Sequence, residues 1–104
     1  MESNYSIPDL LKLLQTERGD RVLLRAGKPP TVILKGELHA IEGPPVMEDS
    51  IEEMLRSVAS TRELRALRKT ATVDIIVPFN GSRFLVRAVR AFGKFHLEMQ
   101  PVAL

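Results

Sequence analysis

The chain has no cysteine and no tryptophan. Without cysteine there are no disulfides, no thiolate metal sites and no thiol nucleophile. Aromatic residues make up 5% of the chain and the net charge is only +2, a mild arginine excess. That leaves no base-stacking platform and no nucleic-acid signature, so no nucleic-acid partner is expected. No apolar run approaches the roughly 18–20 residues a membrane-spanning helix needs. The start, Met1-Glu-Ser-Asn-Tyr5, lacks the basic and apolar regions of a signal peptide. A cytoplasmic location is the expectation. Neither Gly-x-x-x-x-Gly-Lys-Ser/Thr nor Gly-x-Gly-x-x-Gly occurs, so no phosphate cradle is written in these residues. There are no repeats, low-complexity stretches or linkers.

Groups capable of chemistry are few and scattered. His39 and His96 fall on different expected strands, without a paired carboxylate, and read as surface or boundary side chains. Glu48, Asp49, Glu52 and Glu53 cluster where a helix begins, and the helix dipole accounts for them without a metal. No catalytic residue, metal ligand or cofactor is expected, and an enzyme acting alone is the least favoured class.

What is present is a fold pattern. At 104 residues and 44% hydrophobic, the chain makes one domain, residues 1–104, with a modest core. Its organising stretch is Val73–Val102. Val73–Phe79 and Arg83–Phe92 flank Asn80-Gly81-Ser82, and Gly93-Lys94 leads into Phe95–Val102. Asn-Gly between alternating apolar residues is a strong hairpin signal, so this is a three-stranded antiparallel meander. Phe95, Leu97 and Met99 face inward, as do Phe84, Val86 and Ala88; Arg83 and Arg87 face out. Arg90 has the parity of the buried set. It must snorkel, sit past the sheet, or follow a bulge. Asp74 is placed to pair with Arg87 or Arg83 across the hairpin.

Earlier in the chain, Ser6 caps a helix with Ile7, Leu10, Leu11, Leu13 and Leu14 as its apolar stripe, closed by Gly19 as the C′ residue. Short strands follow at Arg21–Arg25, Thr31–Lys35 and Leu38–Ile41, with turns at Ala26–Pro30 and Gly36-Glu37. A helix from Glu48 to Val58 buries Ile51, Met54, Leu55 and Val58. Ser60 and Glu63 form a capping box for a third helix, which turns Leu64 and Leu67 inward and Arg62, Arg65, Arg68 and Lys69 to water. Helix, three strands, two helices and three strands make an α+β domain. Residues 1–5 and the last two or three are the expected loose ends.

Gly27-Lys-Pro-Pro30, Lys35-Gly-Glu-Leu38, Gly43-Pro-Pro-Val46 before an acidic helix, Val73-Asp74, Gly81-Ser-Arg-Phe84 with Val86, Arg90, Gly93 and a close near Gln100-Pro-Val102 occur in succession. This succession, over roughly residues 7 to 102, resembles the N-terminal domain of the type IV pilus retraction and type II secretion ATPases. The resemblance implies a PAS-like fold, a curved antiparallel sheet of about six strands with helices packed on one side. In that family the domain precedes a RecA-like motor, packs on the neighbouring subunit of a hexameric ring, and lends arginines to the nucleotide site. Arg83, Arg87 and Arg90 are thus the candidate nucleotide- or partner-facing residues.

The departures from the family pattern are specific. The family's Ser-Asp-Leu-His-Leu register reads Asp20-Arg-Val-Leu-Leu24, which puts Arg21 for the aspartate and Leu23 for the histidine. Leu85 and Phe92 replace arginines and Arg87 replaces an asparagine. Walker A and Walker B are absent, so these 104 residues alone are not expected to hydrolyse ATP. Leu85, Val89 and Phe92, with Ala91, would form an exposed apolar strip, the candidate interface; the alternative is a bulge that turns them inward.

Three functions fit. One is a non-catalytic interaction or regulatory module related to twitching motility or secretion motors, with a protein partner or a second copy. Another is the front of a full hexameric ATPase, where nucleotide is bound only with the motor present. The third is a small-ligand sensor.

Overall fold

Residues 5–102 are described by the structure, a computed structural model. Helix α1 spans Ile7–Glu17. Its cap is as expected: the Ser6 Oγ accepts from the Asp9 amide at 3.2 Å. Its close is not. Arg18 takes the left-handed conformation (φ 52°) expected of Gly19. Gly19 is needed for space instead. A Cβ there would lie 3.1 Å from Leu14 Cδ2 and 3.2 Å from Val32 Cγ1, closer than ordinary contact, so both side chains would have to give way to admit one.

Helix α2, Glu48–Val58, starts at Met47 without a side-chain cap; Glu48 and Asp49 supply the favourable charge in its first turn. Helix α3, Thr61–Thr70, carries the expected capping box. The Glu63 amide donates to Ser60 Oγ at 3.1 Å, and the Ser60 amide donates to Glu63 Oε1 at 2.9 Å. Leu67 is buried and Leu64 half-buried.

The strands are β1 (Arg21–Arg25), β2 (Thr31–Leu34), β3 (Glu37–Ala40), β4 (Thr72–Phe79), β5 (Ser82–Ala91) and β6 (Lys94–Pro101). They form one sheet in the order β3-β2-β1-β6-β5-β4, with every neighbouring pair antiparallel. The first and last strands therefore meet at the centre and close the sheet around the chain's middle. Three hairpins share one device. Lys35-Gly36, Asn80-Gly81 and Phe92-Gly93 all have positive φ at both residues, from 49° to 81°. That is the two-residue turn whose twist matches the sheet. It shifts three expected boundaries: β2 ends at Leu34, Glu37 opens β3, and Phe92 belongs to a turn rather than to a strand.

On the far edge, β4 pairs only with β5. Phe79 and Ser82 close the hairpin, so alternate residues Thr72, Asp74, Ile76 and Pro78 aim their backbone groups away from β5. Pro78 thus removes no ladder bond, which is how a proline sits in this strand.

All three helices pack on one face. Val22, Leu24, Ile75, Phe84, Val86, Ala88, Leu97 and Met99 of the sheet share one buried cluster with Ile7, Leu11, Leu14, Ile51, Leu55 and Leu67 of the helices. No buried polar or charged residue occurs among the described residues. Tyr5, expected to be loose, is tied down: its hydroxyl donates to the Pro44 carbonyl at 2.8 Å. Residues 1–4 and 103–104 lie outside the described residues. No helix among those described is long and apolar enough to cross a membrane.

Candidate interaction surface

The other face of the sheet has no helix on it. Alternation along each strand dictates what it shows. Across the strands, one row reads Thr72, Val89, His96, Arg25; the next reads Asp74, Arg87, Glu98, Leu23, Thr31, Ala40; a third reads Ile76, Leu85, Gln100. Pro78 and Arg83 pair at one end, Ala91 and Lys94 at the other.

Two ion pairs knit this face. Arg87 grips Asp74 with Nε to Oδ1 at 2.8 Å and Nη2 to Oδ2 at 3.2 Å, the pairing expected from the hairpin register. The hydrogen bonds from Arg87 hold the Asp74 carboxyl below its ordinary 3.8, against the opposing effect of burial, and Asp74 in turn raises the guanidinium. One strand further in, Arg21 Nη1 donates to Glu98 Oε1 at 2.8 Å.

The candidate arginines do not converge. Arg83 and Arg87 lie on the open face, whereas Arg90 lies on the helix side. There Arg90 Nη2 donates to the Arg68 carbonyl at 2.8 Å, and its amide donates to the Ala71 carbonyl at 2.9 Å. Its exposed side chain closes the end of α3. Of the three routes open to it, snorkelling is the one taken, and the register of β5 with β4 and β6 runs without a bulge. The same unbroken register keeps Leu85 and Val89 on the open face, so the inward bulge does not occur. Both are half-buried beside their neighbours. Phe92 stands on the turn and is fully exposed, at 102% of its reference area.

Val89 and Phe92 do share a feature. With Leu23, Arg25, Arg87, His96 and Glu98, the last already paired with Arg21, they line a depression of about 380 Å³ on this face. Leu85 sits two rows away beside Ile76, itself 51% exposed. Arg25 and Ile76 were not singled out from the sequence. The signal for Arg25 was its outward parity in Arg21–Arg25, but the β1–β6 pairing that brings it to His96 and Val89 is a contact across most of the chain.

A second concavity, about 850 Å³, lies between α1, α2 and the end of β4, floored by Ile7, Leu11 and Met54. Among the described residues, Glu53 is the one charged side chain lining it. No group of His, Asp or Glu among the described residues is placed to hold a metal ion.

No family model and no curated protein sequence matches the chain. Solved structures do. The pilus retraction motor PilT with bound ADP superimposes with a TM-score of 0.85 at 20% identity, over 96% of this chain and 30% of that one. The Legionella pneumophila ATPase DotB gives 0.77 at 15% identity, over 99% of this chain and 31% of that one. The Yersinia pseudotuberculosis ATPase DotB gives 0.69 at 16%, with the same shares. The chain therefore has the fold of a segment within pilus-retraction and secretion ATPases, the class its motif order resembles. It spans about a third of their length.

Proposed function

We propose that this domain is a docking module of pilus-retraction or secretion motors, which binds a protein through the helix-free face of its sheet. One observation carries the reading. The places where the sequence leaves the family pattern gather on that face. Leu23, Arg87 and Phe92 line the depression, Leu85 lies on the same surface, and Arg21 pairs with Glu98 there. The core positions, by contrast, keep the pattern. Two of the replacements turn an arginine into an apolar side chain, which suits contact with protein more than with phosphate.

Site-specific crosslinking tests this whatever the partner is. A photoreactive benzoylphenylalanine placed at position 85, in cells making the full protein, should form a covalent adduct with a protein. The same group at position 65 on α3 should not. An adduct at 65 and none at 85 would remove the proposal.

A second reading is favoured by the near-complete overlap with chains about three times as long. In it the domain stands in front of a motor and offers an arginine to nucleotide. Arg87 is held by Asp74 and Arg90 by α3, so Arg83 is the candidate left for that role. Saturable binding of a fluorescent ATP analogue, lost in Arg83→Ala, would support it.

A further inference from the structure

We infer that the depression around Arg25 recognises an acidic protein segment, one that carries a carboxylate next to an apolar side chain. This rests on the docking reading above and names the chemistry of the partner.

Counter-ions are unevenly shared on the open face. It displays Arg21, Arg25, Arg83, Arg87 and Lys94 against Asp74 and Glu98. Both carboxylates are already engaged, Asp74 by Arg87 and Glu98 by Arg21. Arg25, Arg83 and Lys94 have no carboxylate within ion-pair distance among the described residues. In water this costs nothing, because a solvated guanidinium is content. Under a partner it matters. Whatever covers the depression strips water from Arg25, and a buried cation without an acceptor is strongly disfavoured. Arg87 and Arg21 meet the same event with their counter-ions in place. Arg25 does not, so a tolerable partner must bring the carboxylate itself.

The surroundings set the rest of the ligand. Leu23 and Val89 are half-buried beside Arg25, and Phe92 stands proud at the rim. These offer an apolar side chain a place to sit next to the charge. An arginine flanked by apolar surface is the arrangement that dominates interface energetics. His96 lies directly across from Arg25 and adds a second polar group at the same point.

Free phosphate and nucleic acid fit less well. Backbone amides converging at a helix start or a nest would favour phosphate, and the depression is walled by side chains of a sheet instead. The cations are also dispersed. Arg83 lies eight residues along β5 from Ala91, the partner of Lys94, or roughly 26 Å at about 3.3 Å per residue. A phosphate chain wants a continuous stripe; a protein segment needs one carboxylate at one depression.

The probe is an acetylated, amidated peptide Asp-Glu-Leu-Glu-Asp, titrated to millimolar concentration into the ¹⁵N-labelled protein at low salt. Saturable shifts are expected at Arg25, Val89, Phe92 and His96. The same peptide with glycine for leucine should bind more weakly, and a lysine-for-acid version should not bind. Arg25→Glu should lose at least about tenfold in affinity, and Arg25→Gln should lose most of that, with an otherwise unchanged amide spectrum reporting an intact fold. The inference is overturned by no shifts with the acidic peptide, by equal binding of the lysine peptide, by shifts confined to α3, or by a single-stranded oligonucleotide binding more tightly than the peptide. If position 85 captures a protein but the acidic peptide is refused, the docking reading stands and the acidic chemistry falls. If neither binds, both fall.

Discussion

Arg87 holds Asp74 through two hydrogen bonds across the β4–β5 hairpin, at 2.8 and 3.2 Å. One of the three arginines read as candidate ligand-facing residues is therefore committed to its own chain. The pair fixes the guanidinium beside the depression and leaves Arg25 as the unmatched charge there.

The pair predicts an acid-side signature. The carboxyl of Asp74 is held below 3.8, so it contributes stability at pH values above that figure and loses it as pH falls through the folded value. Urea unfolding between pH 6 and pH 2 should show a shallower acid-side loss for Asp74→Asn than for the wild type. Parallel curves would mean the bond contributes nothing to folding.

Arg90→Ala should destabilise the domain by about 0.5–1 kcal/mol, through loss of the exposed hydrogen bond to the Arg68 carbonyl at the end of α3. It should leave docking on the open face unchanged. Lost docking with unchanged stability would place Arg90 at the site after all.

Phe92 sits in a turn conformation that suits asparagine or glycine, with its ring in water. Phe92→Asn should raise stability by about 0.5–1 kcal/mol while weakening partner binding. A variant that is less stable would show that the ring packs somewhere in the folded domain.

Gly19→Ala should cost about 1–2 kcal/mol, because the added methyl meets Leu14 and Val32 from two elements at once. Calorimetry should show Tm lower by roughly 4–8 °C per kcal/mol. An unchanged Tm would mean that α1 and β2 part without strain.

Much of the fold was legible because it is locally encoded. Asn80-Gly81, the Ser60–Glu63 box and the alternation of Phe95, Leu97 and Met99 are each short-range signals, and each appears in the structure as read. Gly19 misled because a glycine after a helix serves two purposes, handedness and close approach, and the sequence does not distinguish them. Phe92 misled because its turn has an aromatic residue where asparagine is usual. The candidate surface was half legible. Leu85 and Val89 follow from parity on β5. Arg25 does not, since it joins them only through pairing of the first strand with the last.

The most direct measurement is the equilibrium affinity of the protein captured at position 85 for the wild-type domain, Leu85→Lys and Arg65→Glu, each shown by its Tm to be folded. The helix-free face as docking surface predicts a loss of about thirtyfold or more for Leu85→Lys, the scale of an interface hot spot, and no significant change for Arg65→Glu. The reverse order, with α3 sensitive and position 85 indifferent, would contradict it.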